Sequence, residues 1–386
     1  ALGLMQVASE IGASAGCGRN SLATSPRSVR MAPLAGALLL ATSLQAAAQS
    51  LPQNGQIITG SASINSSGSA LNVNQNTATA LIKWQSFNID AGNLVRFNLP
   101  SSQAVSINQV TGGNASTIAG QMSSNGQVFL LNPLGIAFTS TASVNVGGLL
   151  ASTLNVDAPS LPVDGSPLSS MFQLAGGGTG ATISNEATLI ATEGGISLVG
   201  GAVSNNGWIS APNGSIDLVA AGGVQVTPGA SSTGNLRLSF VPTTASTAAA
   251  IGISNTGTLT ARSIGMNAMV GPGLASQGIN TSGTITANAI DAGDGVLTIR
   301  SNAPVLSSAT ITAATADIAG SSIDIAGGSI TAKAAQLTAS TGNVNVSGTV
   351  GANNIELNAA TVSQGSSGTL QGAVKLDVQG TAGLGG

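Results

Sequence analysis

Between residues 185 and 287 one short pattern keeps returning, and it restricts the fold more than anything else in the chain. Asn205-x-Gly207-x-Ile209-x-Ala211 and Asn255-x-Gly257-x-Leu259-x-Ala261 share the form Asn-x-Gly-x-(Ile/Leu)-x-Ala. Asn185-x-Ala187-x-Leu189-x-Ala191 is a variant that begins 20 residues before the first of these. Asn280, Gly283, Ile285 and Ala287 read as the same unit with one residue inserted, and Gly348, Val350 and Ala352 as a degenerate copy. Gly195-Ile196-Ser197-Leu198-Val199 is echoed by Gly214-Ser215-Ile216-Asp217-Leu218-Val219, and Val296–Ile299, Ser322–Ile325 and Asn354–Leu357 keep the same inside-outside alternation. Self-similarity near 20 residues, carried by period-two strands, is the signature of a parallel β-solenoid. Coils stacked about 4.8 Å apart align their Ile, Leu and Val side chains into one core. Asn and Gly at the corners are expected to take left-handed backbone conformations, and Asn to ladder its amides from coil to coil. The expected fold class is therefore all-β, a right-handed parallel β-helix (solenoid) with an N-terminal capping region. Residues 181–386 supply its repeats, roughly ten coils at that spacing. β-Branched residues and Gly at this density argue against a helical solenoid.

Composition narrows the chemistry. Only 6% of the 386 residues are charged, against roughly a quarter in ordinary globular chains. With 42% hydrophobic residues the chain is too apolar for charge-driven disorder. It contains no His, so Ser-His-Asp or Cys-His catalysis and imidazole metal sites are excluded. Its one thiol, Cys17, lies in a segment expected to be removed, so no disulfide holds the mature protein. Without Arg19, Arg27, Arg30 and Glu10 the basic count falls from 10 to 7 and the acidic count from 13 to 12, a net of −5. That balance opposes nucleic-acid binding, which needs a basic stripe.

Residues 1–49 read as targeting. Arg19, Arg27 and Arg30 precede an apolar run from Met31 to about Leu44, and small residues follow, so cleavage is expected between Ala48 and Gln49. The segment upstream looks like the tail of an extended signal peptide whose start is truncated. No apolar run after residue 50 reaches the roughly 18 residues a membrane span needs.

Residues 50–156 contain short strands, Ile57–Ile64 and Ala70–Gln75, between Ser/Gly turns. Lys83-Trp84-Gln85-Ser86-Phe87-Asn88-Ile89, Val95-Arg96-Phe97, Ile107–Val110 and Gly112–Gly120 follow. Then comes Ser123–Phe138, with a Ser-Asn-Gly turn, the apolar run Val128–Leu131, and Asn132-Pro133-Leu134-Gly135 ahead of Ile136-Ala137-Phe138. Asn suits the first position of a β-turn, Pro the second, and Gly the exit. Pro133 also lacks an N–H, so the chain must turn there. A plug of Trp84, Phe87 and Phe97 would close the open end of a stack, whose terminal coil otherwise offers bare edges; a direct binding surface is the other reading of these rings.

These segments, in this order, resemble the two-partner secretion domain of filamentous haemagglutinin-like exoproteins. Asn132-Pro133-Leu134-Gly135-Ile136 is similar to that family's Asn-Pro-Asn-Gly-Ile motif, with Leu134 where the family usually has Asn, and Trp84-x-x-Phe87-x-Ile89 resembles its Trp-x-x-Phe-x-Ile segment. The family's Asn-Pro-Asn-Leu motif has no counterpart here. The resemblance implies secretion, or display at the surface of a Gram-negative bacterium, by way of the periplasm. The implied partner is a dedicated outer-membrane β-barrel transporter that binds the unfolded front of the chain. Asn132, Pro133, Leu134, Gly135 and Ile136 would be the secretion motif, and Trp84, Phe87, Phe97 and Asn114 the cap and the recognition segment. The rod would then serve adhesion to host or neighbouring-cell glycans or proteins.

Residues 157–180 break the pattern with Pro159, Pro162, Pro167 and the run Gly176-Gly177-Gly178-Thr179-Gly180. They read as an excursion from the stack. No Lys-Ser/Thr follows the glycines, so a phosphate loop is not supported. Asp291-Ala-Gly-Asp294-Gly could be half a calcium loop, but no bidentate acid stands at suitable spacing, and a solvated turn is the simpler reading. Asp317 and Asp324 read the same way. No catalytic residue, metal or cofactor is expected. A polysaccharide-degrading enzyme on the same scaffold, or the stalk of a contact-dependent toxin, are the competing functions.

Overall fold

The computed structural model describes residues 50–156, 165–230, 234–248, 251–273, 277–288 and 295–383. Residues 1–49, with the expected cleavage site at Ala48 and Gln49, and the segment carrying Asp291 and Asp294 lie outside these residues. The chain is an all-β parallel solenoid of about 13 turns, with no helix among the described residues.

One face of the solenoid is an 11-stranded parallel sheet that starts at Ser116–Ile118 and ends at Ala382–Gly383. Along it Ile136, Ile183, Val203, Ile253, Ile279, Val305, Ile323, Val344 and Val362 stand one above another. All of them are buried. Full burial of such a side chain is worth roughly 1.5–3 kcal/mol, so a column of them is a large share of the rod's cohesion. Coil length varies: Ile183 pairs with Val203 at 20 residues, Ile253 with Ile279 at 26, and Val305 with Ile323 at 18. From Thr182 onward this face holds nine strands among the described residues. The shortfall from ten has one cause: residues 223–244 leave the stack, so Val203 pairs with Ile253, 50 residues on.

The stack does not begin at residue 181. Ala70–Gln75 pairs in parallel with Leu94–Asn98, then Gln121–Ser124, Ser143–Val146 and Thr188–Ala191 follow in register. The first coil is covered by antiparallel strands. Gln56–Thr59 lies against Thr79–Trp84, and Ala62–Ser67 forms a hairpin with Ala70–Gln75.

A second, four-stranded antiparallel sheet joins Leu154–Val156, Phe172–Gly177, Gly223–Ala230 and Leu236–Thr244. It packs on the outer face of the early coils. There Leu81, Ile107, Phe129, Leu131 and Leu150 meet Phe172, Leu174 and Val224 in a core of their own. The strand Gln127–Leu131 is thus buried on both faces, Val128 and Leu130 in the rod and Phe129 and Leu131 under the second sheet. That explains its unbroken apolar run, because a strand covered on both sides loses its alternation.

Two expectations need correction. Asn185, Asn205 and Asn255 are not in left-handed conformations, and neither are Gly207, Gly257 and Gly283. A Cβ on each glycine would lie 2.2, 2.1 and 1.9 Å from the carbonyl oxygen of the residue stacked on it, so close stacking and not backbone freedom requires glycine. The unit read with an insertion at Asn280 contains none. Thr281 pairs with Asn255, Ile285 with Leu259 and Ala287 with Ala261, so Thr281 simply stands in the Asn position.

Candidate functional site

The Asn132 corner is built from three parts of the chain. Gly135 N–H donates to the Asn132 carbonyl at 3.1 Å, closing the turn, and Leu134 N–H donates to Asn132 Oδ1 at 3.0 Å. The Asn132 amide nitrogen Nδ2 then donates to the Asn114 carbonyl at 3.0 Å and to Ser116 Oγ at 2.9 Å. Asn132 N–H donates to the Ser152 carbonyl at 2.9 Å. Asn132 is completely buried, and these partners satisfy its amide and its backbone. Gly135 sits at φ +122°, a conformation costly for any residue with a side chain. Ile136 enters the core between Ser116 and Ile183.

The glycine run read as an excursion is what covers this corner. Gly178 packs against the Pro133 carbonyl, where a Cβ would come within 1.9 Å, and Gly178 N–H donates to the Thr153 carbonyl at 3.0 Å. Gly176 and Gly177 adopt φ of +65° and +69°. Leu134 faces outward at 50% exposed, so this motif side chain makes no packing demand. Asn114 is exposed as well, and it contributes its carbonyl to the corner.

Trp84, Phe87 and Phe97 form a contiguous aromatic layer in the first coils. Trp84 meets Phe87 edge-on with centroids 5.6 Å apart, and Phe87 stacks on Phe97 at 6.5 Å and 8°. All three are buried, and Gly55 and Ile64 of the antiparallel lid close over the Trp84 ring. In the folded protein these side chains offer no surface to a partner. Sequence reading missed Asn108, which lies within the strand Val105–Val110 and is completely buried. It accepts a bond from Trp84 Nε1 at 3.0 Å and donates to the Ser106 and Phe129 carbonyls at 3.1 and 3.3 Å. Nothing in the sequence singled it out, because Ser106 and Gln109 make the same strand half polar.

The repeat asparagines form the expected ladder. Asn185 Nδ2 donates to Asn205 Oδ1 at 2.8 Å, Asn205 Nδ2 to Asn255 Oδ1 at 2.7 Å, and Asn255 Nδ2 to Thr281 Oγ1 at 3.2 Å. Among the described residues no group of three or more acidic or thiol side chains could hold a metal. Asp317 is ion-paired with Arg300, and Asp324 accepts from Asn345 at 2.9 Å on the other face.

The fold and site together are a parallel β-solenoid with a lidded first coil and an Asn-Pro corner built on a buried asparagine. The model of the TPS secretion domain family matches residues 46–294, and the chain belongs to this family of two-partner secretion exoproteins. Exoproteins of this family are secreted from Gram-negative bacteria, and the domain implies export through an outer-membrane transporter. Two heme/hemopexin-binding proteins of Haemophilus influenzae are similar, at 40% identity over 112 residues and 38% over 107. These matches cover 29% and 28% of this chain and 12% of each relative, so the chain corresponds to a small part of their length. Among solved structures the HMW1 secretion domain of Haemophilus influenzae is similar, with a TM-score of 0.62 and 18% identity, covering 86% of this chain and 100% of that one. At that identity the likeness speaks for the fold.

Proposed function

We propose that residues 50–156 direct the exoprotein to a dedicated outer-membrane β-barrel transporter, and that the corner Asn132-Pro133-Leu134-Gly135-Ile136 is the segment on which export depends. The observation that carries this reading is the convergence on Asn132. One buried side chain ties the Asn114–Ser116 strand entry, its own turn and, through Pro133, the Gly177–Gly178 segment. Because Trp84, Phe87 and Phe97 are inaccessible once folded, recognition through them acts on the chain in its extended form. Docking then proceeds by adding strands to the partner through backbone pairing. Folding outside, coil upon coil, buries apolar surface and makes return unfavourable, which biases transport without ATP.

The rod then serves adhesion. Its solvent face carries Thr258, Thr284 and Thr310 in one column and Thr260, Thr286 and Thr312 in the next, beside the exposed Trp208. Hydroxyl columns and an accessible indole suit contact with host or neighbouring-cell glycans or proteins. The hemopexin-binding relatives share only a short portion with this chain, which supports common export and not a common ligand. Deleting Leu51–Val156 and measuring release into the medium beside the co-expressed transporter tests the export reading. Release should be lost, and undiminished release would overturn it.

A further inference from the structure

The strand Leu236–Thr244 overhangs the outer face of the stack, and beneath it lies an open cleft of about 310 Å³. The floor of the cleft spans three consecutive coils, with Gly265 at its centre between Asp217 and Thr298 in register. Gly265 is not in a left-handed conformation, so the backbone does not require glycine there. Its missing side chain creates the depression. A Cβ on it would lie 2.9 Å from Asp217 Oδ1 and would begin to fill the space.

Around the depression the chemistry is mixed in an unusual way for a chain so poor in charge. Arg237 reaches in from the overhanging strand and donates to Ser263 Oγ. Arg300 stands on the third coil, held by its ion pair with Asp317. Asp217 accepts from Ser215 Oγ at 2.9 Å, and Phe240 supplies an apolar edge. Two of the seven cations expected in the mature chain therefore line one cleft, beside hydroxyls and a carboxylate. A guanidinium has five N–H donors in a fork that matches a carboxylate, more than the bond to Ser263 uses.

We propose that this cleft binds a carboxylate-bearing sugar, with the ligand carboxylate between Arg237 and Arg300 and its hydroxyls on Asp217, Ser263 and Thr298. Neutral hydroxyls and an acceptor carboxylate fit a polyol ring, and Phe240 fits its C–H face. The flanking guanidiniums exclude a cation. The Asp217 carboxylate disfavours a dianionic phosphate more than a singly charged acid. Burial pushes the Asp217 carboxyl up to about 6. Arg237 faces that carboxyl and opposes the rise, and Arg300, with Asp317 behind it, lines the same cleft. Protonation of Asp217 below that pH removes the like charge from the site, so affinity rises as pH falls from 7.5 to 5.5.

The test is calorimetric titration of the secreted mature protein with trisaccharides ending in glucuronate, galacturonate or N-acetylneuraminate, each beside its neutral counterpart and inorganic phosphate. At least one acidic trisaccharide should bind saturably, and its neutral counterpart about tenfold more weakly, the scale of one lost charge-assisted pair. Gly265→Leu, which fills the depression from the outer face, and Arg237→Gln, which leaves packing intact, should each weaken binding by about the same factor. The proposal is overturned if no acidic trisaccharide binds at millimolar concentration, if neutral sugar or phosphate binds equally, or if both variants bind as the parent does. None of these results bears on export, which is scored by release from the cell.

Discussion

The molecule uses buried asparagine in two ways. At Asn132 the side chain is bonded to unlike partners, two backbone groups and one hydroxyl, drawn from its own turn and from the Asn114–Ser116 segment. In the ladder of Asn185, Asn205 and Asn255 each side chain is bonded chiefly to a copy of itself one coil away. The ladder tolerates exchange, since Thr281 and Ser307 continue the same column. The corner does not, because only a side chain with both a carbonyl and an amide can accept from Leu134 N–H and donate to Asn114 and Ser116 together. Repetition makes a position replaceable; convergence makes it specific.

The largest expected effect is at the corner. Asn132→Ala leaves the buried Ser116 Oγ without its partner, at about 1–3 kcal/mol, and removes the partly exposed bonds to the Asn114 carbonyl and from Leu134 N–H, at about 0.5–1.5 kcal/mol each, so the loss reaches several kcal/mol in denaturant unfolding. Asn132→Asp keeps the acceptor and loses the donor, and should recover only part of that loss. Next comes the stacking of the glycines. Gly257→Ala places a Cβ against the Gly207 carbonyl, and backbone must shift, at a cost of about 1–3 kcal/mol. Asn205→Thr in the ladder should cost about 1 kcal/mol, since Thr281 shows that the column accepts a hydroxyl. A loss there as large as at Asn132 would erase the distinction.

Asp217 gives a contrasting case of a half-buried polar group with no ladder. Its carboxyl is raised from 3.8 to about 6, so the folded state holds the proton more tightly than the unfolded chain. The stability this provides is complete below about 3.8 and is lost as pH rises through about 6. Asp217→Asn should therefore melt higher than the parent at pH 7.5, with the gap closing by pH 4. The smallest effect is expected for Leu134→Asn, which changes an exposed side chain and should alter stability by less than about 0.5 kcal/mol.

The rod was legible because its register is written locally. Ile196, Leu198 and Val199 do pair with Ile216, Leu218 and Val219, as their echo implies. The corner was legible as a turn from Asn, Pro and Gly. Its partners were not, since Ser116 and Gly178 sit far off in sequence and are ordinary in composition. The antiparallel sheet was missed for a related reason. Phe172–Gly177 and Leu236–Thr244 alternate like any coil strand, and nothing in either names a partner outside the stack. The Val128–Leu131 run carried the clue, because an alternating rod strand needs only one apolar face, and Phe129 stands 6.4 Å from Phe172.

The most direct measurement compares release into the medium for Asn132→Ala and for a ladder variant matched to it in stability, such as Asn205→Ala combined with Gly257→Ala, beside the same transporter. If the corner is what export depends on, the first should stay in the periplasm while the second is released near the parent level. Equal release of the two would contradict the account, because the corner would then count only as one more stabilising contact in the rod.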